Sequence, residues 1–246
     1  MKTSTFNGIV IILAFVFGWV IFEFFLPTFI KDGGPLVISL IAIIIMLIAV
    51  IVERWLTLKK ANGKSSMTIF LKNVQQAVNS GDIDAALAAC DKQRGSCANV
   101  LHAGLERYKT VVEEGDVKGQ KELMESIQRS IEEATMLEVP MLEKNLSMMS
   151  TIASIGTMVG LLGTVIGMIR AFQAMAKAGG SPDAVGLALG ISEALINTAG
   201  GLVAGIGGIV AYNFFVTKID NFTYMIDEAS YSIVQSLASR RPSKSK

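Results

Sequence analysis

The chain is poor in charge and in the side chains that most enzymes use for acid–base chemistry. Of its 246 residues only 17% are charged, one is a histidine and two are cysteines. So few charges leave too little polar surface for a soluble domain of this size, and the bilayer is therefore the expected solvent. The net charge of +1 gives no reason to expect a nucleic-acid partner.

The scarcity of histidine and cysteine also argues against catalysis and metal binding. Cys90, Cys97 and His102 supply fewer than the four ligands that a structural zinc site takes. No Ser/His/Asp set, phosphate-binding loop or metalloprotease motif is present. We therefore expect no enzyme activity, no metal site and no cofactor.

Four apolar segments are each long enough to cross ~30 Å of hydrocarbon as a helix. They run from about Phe6 to Ile30, Pro35 to Val52, Asn145 to Ile169 and Ala184 to Thr217. The first is too long for a signal peptide and lacks a small-residue cleavage site, so it is expected to stay as an anchor. The fourth is longer than one span requires, so it is expected to tilt or to continue as a helix beyond the membrane.

Basic residues follow the second and fourth segments and are scarce in the two short Gly/Pro-containing linkers, which hold only Lys31 and Lys177. Because cytoplasmic loops carry the excess of lysine and arginine, both termini and the loop Glu53–Lys144 are expected in the cytoplasm. Helical spacing predicts that this loop is helical. The predicted elements are a helix around Ile83–Cys90, helices over Ser96–Lys109 and Gln120–Met149 with a kink at Pro140, and a turn over Glu113–Gly119.

Glu193 is the only charged residue in the fourth segment. A charge at the centre of a membrane helix costs about 2.5–3.5 kcal/mol, so it normally faces a bundle interior or a watery path. Asn197, four residues on, shares its helical face. We favour an ion path over a buried structural carboxyl. Arg170 lies just beyond the third segment, where it can snorkel to the interface, and receives no function.

Small and hydroxyl residues recur in the third and fourth segments. The hydroxyl set predicts a polar lumen near the carboxylate, although each member alone is expected to bond its own helix. Glycines four apart let two helix backbones approach closely in lipid, so the two segments are predicted to pack tightly. The hydroxyl residues are Thr151, Ser154, Thr157 and Thr164 in the third segment and Ser192 and Thr198 in the fourth, with Ser154, Thr157, Thr164 and Thr198 as the pore-lining candidates. The glycine pairs are Gly156/Gly160, Gly163/Gly167, Gly186/Gly190 and Gly201/Gly205.

These residues resemble a known family. The runs TIASIGTMVGLLGTVIGMIRAF (Thr151–Phe172) and GISEALINTAGGLVAGIGGIVAYNFF (Gly190–Phe215) are similar to the two signature helices of the MotA/TolQ/ExbB proton-channel family, and most similar to its ExbB branch. The resemblance covers roughly Val52 to Tyr231. Within it Glu193 matches the segment-four glutamate, Thr198 the pore threonine and Thr164 a regular threonine of segment three.

The chain also departs from the family pattern. Many relatives carry Ala-Pro before the GLLG block, where this chain has Gly156 and Thr157. Which polar group lines the pore at that level is therefore open, with Thr157 and Ser154 as candidates. Asn197 adds a polar side chain where small apolar residues are usual. The first apolar segment is extra relative to a three-span layout.

The pattern and the resemblance together predict an all-α integral membrane protein with four transmembrane helices and a helical cytoplasmic domain. The resemblance implies a ring-shaped homo-oligomer, typically a pentamer, in the lipid of the bacterial inner membrane. It implies a dimer of an ExbD-like single-span protein in the pore, whose aspartate takes up protons. It further implies a TonB-like protein that carries the work to outer-membrane transporters.

Three functions remain open at this point. The first is an ExbB-like subunit that conducts protons and energises TonB-dependent transport across the outer membrane. The second is a TolQ-like energiser of envelope maintenance, and the third is a non-conducting membrane scaffold in which Glu193 joins helices. A flagellar-type stator is disfavoured because the loop lacks an evident charged cluster for contact with a rotor.

The predicted organisation along the chain has five parts. They are an N-terminal membrane anchor helix (1–34), a second transmembrane helix (35–56), a cytoplasmic helical region (57–144), two pore-lining signature transmembrane helices (145–217) and a cytoplasmic basic tail (218–246).

Overall fold

The computed structural model describes residues 3–114, 119–177 and 183–239, with side chains for 12–114, 119–176 and 183–239. Most of these residues are helical, and no strand occurs in them. The helices are α1 (Thr3–Phe24), α2 (Thr28–Lys31), α3 (Leu36–Ala61), α4 (Met67–Ser80), α5 (Ile83–Gln93), α6 (Ser96–Glu114), α7 (Gln120–Glu143), α8 (Leu146–Lys177) and α9 (Ala184–Ala238). The prediction of an all-α protein is confirmed for this part of the chain.

Three helical stretches of the described chain are long and apolar enough to cross a membrane. They are Leu36–Ala61, Gln120–Ala176 and Ala184–Ala238, and a shorter apolar stretch covers Ile12–Phe24. The second, third and fourth predicted segments fall within the three long stretches. The anchor role of the first segment stays a prediction.

The first segment ends earlier than predicted. A single span to about Ile30 was expected, but α1 ends at Phe24 and the short α2 begins at Thr28. Pro27 stands between them, and its ring nitrogen has no hydrogen to continue the helical ladder. The fourth segment does continue as a helix, because α9 extends beyond Thr217 to Ala238.

The first of two compact units comprises Met1–Glu53 and Asn145–Phe215. It contains α1, α2, α8 and the first parts of α3 and α9. Small residues set the contact of α1 with α3, since a methyl group added to Gly18 would lie 3.1 Å from the carbonyl oxygen of Ile38. Ala42 on the same face of α3 is completely buried.

The second unit comprises Arg54–Lys144 and Val216–Lys246. Its core is built from residues that recur every three or four positions, as expected for amphipathic helices. Residues 218–238 of the predicted basic tail are therefore helical and take part in this core. The buried residues include Phe70, Val74 and Val78 of α4, Val100, Leu101 and Leu105 of α6, Leu123, Ile127 and Ile131 of α7, and Ile219, Phe222, Ile226, Ile233 and Leu237 of α9.

Within the second unit, the predicted helix around Ile83–Cys90 is confirmed as α5. It begins after Asp82, whose side chain accepts a hydrogen bond from the backbone N–H of Ala85 at 2.9 Å. The predicted helix over Ser96–Lys109 continues to Glu114 as α6. Most of the turn predicted over Glu113–Gly119 lies outside the described residues.

The single helix predicted over Gln120–Met149 is wrong in one respect. Helix α7 passes Pro140 but ends at Glu143, and α8 begins at Leu146. Between them Asn145 takes a φ of 66°, the left-handed region that asparagine tolerates better than most residues. Its side-chain nitrogen donates to a carboxylate oxygen of Glu53 at 3.2 Å, so the break has a polar partner.

Candidate functional site

Helices α8 and α9 approach each other at backbone distance within the first unit. A methyl group on Gly160 would lie 2.8 Å from Cα of Gly201, and one on Gly201 would lie 2.6 Å from Cα of Gly160. Side-chain carbons do not come this close to other atoms, so the two helices can keep this separation only with glycine at both positions. The close approach fixes which α8 and α9 side chains meet on either side of it.

The other predicted packing glycines lie at the same contact. Gly156 faces Ala204, Gly163 faces the side chain of Asn197, Gly167 faces Ala194, and Gly205 faces the hydroxyl of Thr157. Gly190 faces Ala171, whereas Gly186 faces Asp183 and Ala174. The structure thus brings six of the predicted packing glycines into one seam between α8 and α9, namely Gly156, Gly160, Gly163, Gly167, Gly201 and Gly205.

Glu193 is buried, with 7% of its surface exposed, and its carboxylate forms an ion pair with the guanidinium of Arg170 on α8. A buried charge needs such a partner, because removing it from water without compensation is costly. The Arg170 side chain is about half exposed, at 49%, so the rest of the chain covers its charge only in part. The prediction that Arg170 merely snorkels missed this pair. The available signal was that two opposite charges occupy neighbouring apolar helices.

The turn between α2 and α3 lies against the same carboxylate. Asn197 is completely buried, and its side-chain nitrogen donates to the carbonyl oxygens of Gly33 at 2.8 Å and Glu193 at 2.9 Å. A methyl group on Gly34 would lie 2.6 Å from the carboxylate oxygen Oε1 of Glu193. Glu193 and Asn197 therefore face the interior of a single chain, and their place on an ion path stays a prediction.

The hydroxyl residues divide into two groups. Thr164 of α8 and Thr198 of α9 share a hydrogen bond between their hydroxyls, and each also lies within reach of the carbonyl four residues before it, at 3.4 and 3.0 Å. Because a hydroxyl has one hydrogen, the pair can switch which member donates across the contact. Ser154 and Thr157 are exposed and donate to the carbonyls of Ser150 and Ala153. The structure does not bring them to the threonine pair.

Candidate metal ligands do not gather in the part of the chain that the structure describes, where no group of three or more His, Cys, Asp or Glu side chains is positioned to hold an ion. His102 lies 3.6 Å from a carboxylate oxygen of Asp91 and 3.5 Å from one of Glu106. Cys90 and Cys97 are free, buried thiols. These groups supply hydrogen bonds and packing to the second unit.

The two thiols lead to a prediction about pH. Burial raises the pKa of both Cys90 and Cys97 to about 12. The thiol pKa values of the unfolded chain are about 8.5. As the pH rises, the unfolded chain therefore loses these protons before the folded chain does. The stability that the thiols contribute is complete below about pH 8.5 and is lost as the pH rises towards the folded values.

At pH 8 we expect iodoacetamide to alkylate both cysteines slowly in the folded chain and rapidly in denaturant, because about 1 in 10,000 of the folded thiols is ionised. Mass spectrometry of timed samples measures the two rates. Equal rates in the folded and denatured chain would contradict the burial described here.

Comparison with known proteins adds a family relationship. The sequence model described as the MotA/TolQ/ExbB proton channel family matches residues 92–228, which is more than half of the 246 residues. The matched range contains Arg170, Glu193 and the threonine pair, and it excludes α1 to α4 and the turn before α3. No curated protein matches the chain.

Proposed function

Because the chain belongs to the MotA/TolQ/ExbB proton channel family, we propose that it is the channel subunit of an ExbB-like motor in the bacterial inner membrane. The chain is a multi-pass membrane protein of a family that forms oligomeric channels with partner proteins. In the proposal it assembles as a pentameric ring, encloses a dimer of an ExbD-like single-span protein and conducts protons with it. A TonB-like protein transmits the resulting movement to outer-membrane transporters.

One observation carries the proposal to particular residues. At the α8–α9 contact a membrane helix holds a buried carboxylate, Glu193, five residues before Thr198, whose hydroxyl meets that of Thr164. Hydroxyls both donate and accept, so they can pass a hydrogen-bonded proton along a wall. One charge that crosses 100 mV releases about 2.3 kcal/mol, which is the energy source in this proposal.

In this mechanism the chain supplies the fixed side chains that line the proton path, and the partner supplies the carboxyl that carries the proton. The carboxylate of Glu193 is held by Arg170, so it acts as a stationary charge beside the path while the partner's carboxyl takes up and releases the proton. Thr164 and Thr198 line the wall, with Ser154 and Thr157 along α8. The distribution of lysine and arginine supports both termini in the cytoplasm, which puts the α2–α3 turn on the outer side.

A scaffold is the second candidate, because the Arg170–Glu193 pair lies within one chain and also suits a carboxylate that only joins helices. In a scaffold, loss of Glu193 would impair assembly, and there would be no proton flux to measure. In a channel, loss of Glu193 would lower proton flux while the complex remains assembled.

Complementation distinguishes the family branches. A strain that lacks the gene is given the wild-type chain with its single-span partner, and energised siderophore uptake and detergent resistance are measured together. Restored uptake supports the ExbB-like function, and restored detergent resistance without uptake supports TolQ-like envelope maintenance. Restoration of neither, at normal membrane levels of both proteins, contradicts an energiser function.

A further inference from the structure

The α2–α3 turn, with the sequence KDGGP, covers the carboxylate of Glu193. Two of its glycines make the contact. Gly34 is so close that an added methyl group would lie 2.6 Å from Oε1 of Glu193 and 3.4 Å from a guanidinium nitrogen of Arg170. The carbonyl of Gly33 accepts the 2.8 Å hydrogen bond from Asn197. The carboxylate is thus enclosed by α9, α8 and the turn.

Glycine is required in this turn for two separate reasons. Gly34 has a φ of 72°, which residues with a side chain rarely adopt. Gly33 has no room for a side chain, since its added methyl group would lie 2.8 Å from the Ile196 side chain on α9. The turn is therefore shaped to lie on α9 at the level of the carboxylate.

Arg170 holds the carboxylate from the other side. Its guanidinium bonds Glu193 while about half of the arginine side chain remains exposed, so one face of the ion pair is open and the other is covered by the turn. The fixed fork of the guanidinium gives this pair a defined direction.

We propose that the turn Lys31–Pro35 is a cap over Glu193 and that Arg170 is a positioning residue for this carboxylate. The part of this proposal that concerns ion flux rests on the proposed function. The part that concerns the cap does not depend on it. The cap belongs to the part of the chain that precedes the family match, which begins at residue 92. Ions reach Glu193 from the Arg170 side, and the cap closes the side of the α2–α3 turn.

Labelling with a membrane-permeant carbodiimide tests the cap in native membranes that contain the full chain and its partner. Glu23, an exposed carboxyl in the same unit, serves as the internal reference. We expect Glu193 to label more slowly than Glu23 in the wild type. Arg170→Ala and Gly34→Ala should each raise the labelling of Glu193 at least about fivefold, because each opens one side of the enclosure.

One control variant should leave the labelling near the wild-type rate. Gly207→Ala places its methyl group no closer than 3.9 Å to the nearest atom, on Leu47. Equal labelling of Glu193 and Glu23 in the wild type would overturn the cap. Unchanged labelling of Glu193 in both Arg170→Ala and Gly34→Ala would also overturn the cap. If one of these variants does not accumulate in the membrane, the labelling of the other variant decides the test.

Proton flux tests the positioning role of Arg170 separately. Arg170→Ala should lower flux about tenfold in the wild-type chain and have no further effect in the Glu193→Gln chain, because the arginine acts through that carboxylate. Arg170→Lys should recover part of the flux. If Arg170→Ala and Glu193→Gln lowered flux independently, so that their fold-losses multiplied in the double variant, the positioning role would be overturned. If no variant, including the wild type, conducts, the proposed function fails while the labelling result still decides the cap.

Discussion

Replacing Glu193 with glutamine should lower proton flux at least about tenfold, which corresponds to a barrier that is ~1.4 kcal/mol higher, while the chain remains assembled. Glutamine keeps the size of the side chain and one hydrogen-bond acceptor for Arg170, but it removes the stationary charge. Arg170 is left without its ion partner, yet its side chain is 49% exposed and can be solvated. The cost to folding should therefore be much smaller than for a fully buried pair.

The measurement is flux per assembled complex, with the membrane level of the chain determined in the same preparation. Glu23→Gln is the matched control, because Glu23 is an exposed carboxyl on α1 of the same unit. It should conduct like the wild type. Full flux in Glu193→Gln would reduce Glu193 to a dispensable group, and loss of assembly without a separate loss of flux would support the scaffold.

Adding one methyl group at Gly160 should destabilise the first unit by about 1–3 kcal/mol, the usual cost of forcing extra volume into a packed contact. The added carbon would lie 2.8 Å from Cα of Gly201 and 3.0 Å from the carbonyl oxygen of Asn197. These are backbone atoms, so no side chain can rotate away, and α8 and α9 must separate. Separation would also break the hydrogen bond between Thr164 and Thr198.

Thermal unfolding of the purified chain in detergent measures this effect. Gly207→Ala on α9 is the control, since its methyl group meets no atom closer than 3.9 Å. Gly160→Ala and Gly201→Ala combined should cost less than the sum of the two, because helices that have already separated accommodate the second methyl group. An unchanged midpoint in Gly160→Ala would contradict the close approach of α8 and α9.

The long apolar runs and their flanking residues predicted much of the fold. Hydrophobicity sustained over a span predicts a helix because the bilayer leaves the backbone no other partners. The errors occur where one residue decides the backbone: Pro27 ends the first segment early, and Asn145 divides the predicted helix over Gln120–Met149. The asparagine is harder to foresee, because tolerance of the left-handed region is only a weak preference.

The site was predicted in part. Glu193 is conspicuous as a lone charge in an apolar segment, and the glycine spacing indicated a close helix contact. The contacts around Glu193 were not predicted, because they form only through tertiary packing. Arg170 pairs with its carboxylate from another helix, and Asn197 bonds Gly33, which is 164 positions away in the chain. The helical periodicity predicted that Glu193 and Asn197 lie on one face of their helix. It did not predict that this face points into their own chain.

Arg54 shows the same limit in the second unit. Its charge contributes to the prediction that Glu53–Lys144 is cytoplasmic, but the side chain is 1% exposed and donates to the carbonyl oxygen of Leu142 at 3.1 Å. That carbonyl is in the last turn of α7, where the helix dipole favours a cation. A rule that counts charges cannot distinguish a basic residue at a surface from one that caps a helix.

In the proposed function this chain forms a proton-conducting channel with a single-span partner. The most direct test is proton flux into sealed vesicles that contain the chain, the partner or both, under an imposed membrane potential and with a pH-sensitive dye inside. We expect flux with both proteins, little flux with either one alone, and a loss of flux of at least about tenfold with Glu193→Gln. Vesicles that hold both proteins in an assembled complex and remain proton-tight under the potential would contradict it.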